Sequence, residues 1–174
     1  AIKKQFHHLM RTVPSTGRVM IPNKDEALMA VKHKGCWSEV EYLGENWSTE
    51  KVKEDGTIFE VLLDGNKHGQ VNWSLMGDHN IENALGSIAA ARHVGVTPEI
   101  AVDALAEFKS IKRRMEVKGQ VNNITVYDDF AHHPTAIETT LQGIRAQVGS
   151  EKVIAVIEPR SNTMRLGSHR AKLA

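Results

Sequence analysis

The sequence predicts an α/β protein: a mixed sheet with antiparallel hairpins and helices, followed toward the C-terminal end by the opening of a doubly wound parallel sheet. Three observations carry this. The β-rich runs Ile58 to Leu63 and Val71 to Leu75 are flanked by Asp55-Gly56 and Asp64-Gly65-Asn66-Lys67, turn formers that tolerate positive φ. A long helical run from Asn80 to Val94 gathers Ala84, Ile88 and Ala91 on one face. From Ile124 to Ile157 the periodicity reads strand, helix, strand, a unit expected to be parallel and right-handed.

The elements follow in order. Ile2, Phe6 and Leu9 fall at helical spacing, and Pro14-Ser15-Thr16-Gly17 ends that helix. Arg18 to Ile21 reads as a short strand, Lys24 to Val31 as a helix closed near Lys34-Gly35, and Trp37 to Leu43 as a strand. Val52 and the two runs named above form the hairpins. The Asn80 helix ends at Gly95, and Thr97-Pro98-Glu99 starts the next in the favoured order of cap then proline. Basic residues from Lys109 to Arg114 look like a boundary. Met115 to Gln120 and Asn123 to Tyr127 are expected strands, Thr135 to Val148 a helix, and Val153 to Ile157 an apolar strand. A parallel sheet needs more strands than these to cover its faces, so the chain reads as a piece of a longer protein.

Composition excludes several classes. Twenty-two Lys and Arg against 21 Asp and Glu leave a net charge of +1, too little for non-specific attraction to nucleic acid or an anionic membrane. No apolar run has the roughly 20 residues a membrane helix needs. No signal peptide is visible, and the first residues read as mid-helix. The single cysteine, Cys36, permits no internal disulfide and reads as a small buried residue beside Trp37. A reducing, cytoplasmic setting is the expectation.

Four segments could carry chemistry. In Gly77-Asp78-His79-Asn80-Ile81-Glu82-Asn83, Asp78 suits a helix cap, while Asn80 and Asn83 share a helical face. Two carboxamides side by side can each give and accept a hydrogen bond, as an adenine edge requires; asparagines that only favour a helix start are the alternative. Lys112-Arg113-Arg114 is either a solvated linker or an arginine aimed at phosphate. In Tyr127-Asp128-Asp129-Phe130-Ala131-His132-His133-Pro134-Thr135, two carboxylates and two imidazoles gather past a strand's carboxyl end, where open α/β sheets bind ligands. Asp suits ribose hydroxyls, and His can donate to a carboxylate or phosphoryl oxygen. A capping Asp with surface His is the alternative; no third ligand at metal-binding spacing accompanies the His pair. Glu158-Pro159-Arg160-Ser161-Asn162-Thr163-Met164-Arg165 is a donor-rich loop that could hold carboxylates, or an ordinary polar loop.

Taken together and in order, Gly-x-His-Asn-x-x-Asn at residues 77–83, the Arg113-Arg114 pair and Asp-Asp-Phe-Ala-His-His-Pro-Thr at 128–135 resemble the Mur ligases, ATP-dependent enzymes that extend the peptide of cell-wall precursors. The loop from Glu158 to Met164, with Gln5 to Leu9 and Gly35 to Glu39, is similar to those members that join UDP-N-acetylmuramate to the tripeptide L-alanyl-γ-D-glutamyl-meso-diaminopimelate in peptidoglycan recycling. The resemblance covers essentially the whole chain.

The resemblance implies the later half of a P-loop-type central domain, residues 1–110, followed by the start of a Rossmann-like C-terminal domain, residues 111–174. It implies Asn80 and Asn83 facing adenine, Arg114 approaching the nucleotide phosphates and Asp129 holding ribose. It also implies His132 near the incoming amine substrate, with Arg160 and Asn162 binding its carboxylates; Asp128 and His133 are secondary candidates. The family uses ATP with Mg2+ and passes through an acyl phosphate. No Gly-x-x-Gly-Lys-Thr/Ser run is present, so the phosphate-cradling loop and the metal ligands are expected upstream, in the remainder of a parent ligase. Several relatives carry a carbamylated Lys in the helix that opens this chain, where Lys3 and Lys4 stand. The fragment alone is expected to be inactive. Members adding L-alanine to the same nucleotide sugar are the alternative, and a non-catalytic nucleotide-binding module is the alternative from another class.

Overall fold

The computed structural model describes residues 1–158. Two helices and two strands alternate first: α1 (Ile2–Thr12), β1 (Arg18–Pro22), α2 (Glu26–Lys32) and β2 (Glu39–Leu43). Three further strands, β3 (Trp47–Lys51), β4 (Ile58–Leu63) and β5 (Asn66–Asn72), complete a five-stranded sheet in sequence order. β1 and β2 run parallel, while β3, β4 and β5 are successively antiparallel. Helices α3 (Asp78–His93) and α4 (Pro98–Ala106) pack on this sheet. A separate antiparallel hairpin, β6 (Glu116–Val121) and β7 (Ile124–Asp128), leads into α5 (Pro134–Val148).

Local chemistry explains these elements. The Asp25 carboxylate accepts the amides of Ala27 and Leu28 at 2.8 and 2.9 Å, capping α2. Asp64 and Gly65 both take positive φ, 48° and 80°, as a two-residue hairpin turn demands. That turn is tight enough for Leu63 to pair with Asn66, so β5 begins five residues earlier than its apolar run suggested. Of its seven residues only Val71 is buried, the signature of an edge strand. β3, an interior strand, is hidden by its polar composition instead. Trp-Ser-Thr-Glu-Lys carries one apolar residue, yet Trp47 is fully buried.

The core lies between the sheet and α3–α4. Trp47, Phe59, Val61, Val71 and Ile88 have no measurable exposure, and burying each such side chain contributes about 1.5–3 kcal/mol. Ala84, Ile88 and Ala91 face this core as the sequence predicts, joined by Ile81 and Leu85. Glu41 is a buried carboxylate within it. Arg18 and Arg92 pair with Glu41, and the Trp47 indole Nε1 donates to it at 2.6 Å, so the charge is compensated rather than stranded.

One expected strand is absent. Residues 153–157 form no strand, and Ile154 and Val156 are 75% and 93% exposed. A strand is stable only with a ladder partner, and β7 pairs with β6 alone. The parallel strand–helix–strand unit is therefore not formed among the described residues.

Candidate functional site

A cleft of about 930 Å3 opens between the carboxyl end of β5, the first turns of α3, the 108–115 linker and the β6–β7 hairpin. Asn80, Asn83, Arg114 and Asp129 all line it, together with His79. Four candidates scattered over 50 positions of sequence thus share one wall-to-wall space.

The α3 side is built first. Gly77 has φ 90° and donates its amide to the Asp55 carbonyl at 2.8 Å; this left-handed turn starts the helix, a conformation glycine adopts without penalty. Gly77, not Asp78, is the N-cap, which corrects the capping role expected of Asp78. Its carboxylate instead pairs with Lys51 at 2.6 Å. Asn80 is half-buried, and its Nδ2 donates to the Met76 carbonyl at 2.7 Å. That bond fixes the carboxamide plane. Asn83, one turn on, is exposed.

The opposite side is held by polar contacts to backbone. Asp129 Oδ2 accepts the Met115 amide at 2.9 Å, and Oδ1 accepts the Ala131 amide at 2.7 Å. Glu116 accepts the Arg113 amide at 2.9 Å, and the Phe130 amide donates to the Arg113 carbonyl at 2.8 Å. Lys118 and the Arg113 amide together hold the Glu116 carboxyl below the usual carboxylate range. Arg113 and Met115, the neighbours of Arg114, both sit at positive φ, 59° and 49°.

His79 is the residue that the sequence left without a role. Burial pushes its imidazole below the ordinary value, and the Arg114 guanidinium pushes it further, against the opposing pull of Asp129, Asp78 and Glu82. Its buried Nδ1 has no hydrogen-bond partner. Its place within the Gly-x-His-Asn run was the only sequence signal for it.

The remaining candidates divide. His132 is exposed and does not line the cleft; its Nδ1 lies 2.9 Å from the Phe130 carbonyl oxygen. Asp128 lies 3.5 Å from Arg113 Nε. His133 is the N-cap of α5, its Nδ1 accepting the Thr135 amide at 3.3 Å. Arg160 and Asn162 lie outside the described residues. Among the described residues no group of three or more His, Cys, Asp or Glu is gathered as a metal site, and no helix is long and apolar enough to cross a membrane.

Comparison with known proteins assigns both halves. The Mur ligase middle domain matches residues 1–91, and the Mur ligase, glutamate ligase domain matches residues 113–170. The UDP-N-acetylmuramate–L-alanyl-gamma-D-glutamyl-meso-2,6-diaminoheptandioate ligase of Escherichia coli (strain K12) is 53% identical over all of this chain, which spans 39% of that protein's length. A crystal structure of a murein peptide ligase from Psychrobacter arcticus 273-4 matches 99% of this chain and 37% of its own, with 45% identity and a TM-score of 0.69. The UDP-N-acetylmuramate–L-alanine ligase of Crocosphaera subtropica is 40% identical over 67% of this chain and 23% of its own. With its middle-domain match covering more than half of the residues, this chain belongs to the Mur ligase family.

Proposed function

We propose that the chain is a portion of a cytoplasmic ATP-dependent ligase that joins UDP-N-acetylmuramate to L-alanyl-γ-D-glutamyl-meso-diaminopimelate through an acyl phosphate. The observation that carries the reading is the convergence of Asn80, Asn83, Arg114 and Asp129 on one cleft. The similarity of the whole of this chain to part of the E. coli tripeptide ligase supports the substrate class. Residues 1–110 are then the later part of the central domain and 111–174 the start of the C-terminal domain.

The donor set fits a nucleotide. Asn80, with its carboxamide fixed by Met76, and Asn83 offer paired donors and acceptors to an adenine edge. Asp129, each of whose oxygens accepts one backbone amide and keeps a second lone pair, can accept ribose hydroxyls as well. Arg114 offers the planar fork suited to phosphate oxygens, where cationic groups offset the charge that develops in phosphoryl transfer. ATP, when bound, supplies the phosphoryl group that converts the muramate carboxylate into an acyl phosphate. His132, Arg160 and Asn162 attend the amine substrate, orienting it for attack. The described residues do not assemble a magnesium site.

Assays of the intact ligase with tripeptide and with L-alanine test the reading. ATP-dependent ligation of tripeptide in strong preference to alanine is expected. Preference for alanine would transfer the assignment to the L-alanine ligases, which the 40% identical relative favours. The 174-residue chain alone is expected to form no product; turnover by it would show that the phosphate-handling wall does not lie elsewhere.

A further inference from the structure

The linker before β6 holds Arg114 between two residues in a conformation that side-chain-bearing residues rarely adopt. Arg113 and Met115 are left-handed, at φ 59° and 49°, a strained conformation for residues with side chains. Such a backbone persists only where its surroundings enforce it. Three polar contacts do so: Glu116 on the Arg113 amide, Asp129 on the Met115 amide, and the Phe130 amide on the Arg113 carbonyl. The fourth restraint is a side chain. The Arg113 guanidinium lies over the Phe130 ring at 5.0 Å, with its Nε 3.5 Å from Asp128, and the Phe130 ring stands 4.9 Å between centroids from His132. Phe130 is 51% exposed, so it contributes nothing to a core. Nor does it line the cleft.

We propose that Phe130 is a positioning residue: its ring clamps Arg113, locks the strained linker, and so presents the neighbouring Arg114 to the cleft. An exposed aromatic ring that buries no core surface has here a specific partner, and a cation over a ring is attracted to it even at exposed sites. With Arg113 held on Phe130 and Asp128, the neighbouring Arg114 lines the cleft with His79 and Asp129. The part of this inference that concerns ATP rests on the nucleotide reading above; the positioning itself does not.

His79 reports where Arg114 stands, since Arg114, Asp129, Asp78 and Glu82 are the charges that face it. NMR titration of the His79 imidazole in the 174-residue chain therefore reads the clamp without any ligand. Arg114→Ala raises the His79 midpoint. Phe130→Ala raises it likewise, Phe130→Tyr leaves it unchanged, and Phe130→Ala adds no further rise in the Arg114→Ala background, the non-additivity expected of groups acting through one contact. An unchanged midpoint in Phe130→Ala, or an equal added rise in the Arg114→Ala background, overturns the clamp. In the intact ligase, Phe130→Ala lowers kcat/KM for ATP by roughly two- to fivefold, the scale of an exposed cation–ring contact, while inhibition by adenosine is kept. Equal loss of both would mark a general structural role and also overturn it. If Arg114→Ala leaves ATP use intact while His79 still responds to Phe130→Ala, the nucleotide reading fails and the clamp stands.

Discussion

The five-stranded body and the β6–β7–α5 unit bury their residues very differently. In the first, Trp47, Phe59, Val61, Val71 and Ile88 are sealed beneath α3 and α4. In residues 109–158 only Pro134 and Gly143 are fully buried, and Val117, Val121, Ile124 and Val126 each remain more than half exposed. The two meet closely at one point. A β-carbon on Gly143 would stand 3.4 Å from the Gly77 backbone, so α5 approaches the start of α3 where neither residue carries a side chain. The cleft has accordingly one wall fixed by hydrophobic packing and one fixed by carboxylates on backbone amides. Asn80 and Asn83 belong to the first wall, Arg114 and Asp129 to the second.

That contrast fails first, and most visibly, if core truncation is not costly in one half and cheap in the other. Phe59→Ala is expected to destabilise by about 3–5 kcal/mol, whereas Val126→Ala, on the exposed face of β7, stays within about 0.5 kcal/mol. Denaturant unfolding monitored through the tryptophans reads both. Comparable losses would mean that β6–β7 is packed as tightly as the main sheet.

A subtler effect isolates the polar wall. Asp129→Asn keeps one acceptor where the carboxylate served two amides, and a hydrogen bond to a charged group contributes about 1.5–3 kcal/mol. Hydrogen exchange at the Met115 amide should accelerate while exchange at Val61 is unchanged. Acceleration at both would show that the two walls unfold together.

The smallest effect is one of pH. His79 titrates below its ordinary value of 6.5 in the folded chain. Between the folded and unfolded midpoints the unfolded chain carries more protons, so stability falls as pH drops below 6.5. Above it His79 adds no pH dependence. His79→Gln should flatten that acid-side slope in melting temperature against pH, and an unchanged slope would remove His79 from the account.

Much of this architecture was legible because local signals and tertiary structure agree. The α3 face of Ala84, Ile88 and Ala91 and the Pro98 start of α4 are where spacing and capping placed them, and the helix expected from Thr135 to Val148 begins one residue earlier, at Pro134. The misses have physical causes. β3 and β5 are polar strands that pair with β4 across the Asp55-Gly56 and Asp64-Gly65 turns rather than on the strength of their own composition. Residues 153–157 are apolar enough for a strand, but strand formation depends on a partner. Of the site, the residue types were readable at Asn80, Asn83, Arg114 and Asp129. Their convergence was not, because it depends on the left-handed backbone at Arg113 and Met115, which nothing in Lys-Arg-Arg-Met announces. His79 was passed over because a histidine between Asp78 and Asn80 looks like part of a helix start.

The central claim is that one nucleotide spans both walls. Titrating the isotopically labelled 174-residue chain with ATP and following its NMR spectrum tests this most directly. The account predicts that the Asn80 and Asn83 carboxamides and the Met115 and Ala131 amides held by Asp129 shift together and saturably, with a common midpoint. Shifts confined to one wall, shifts only at positions remote from the cleft, or none at millimolar ATP would contradict it.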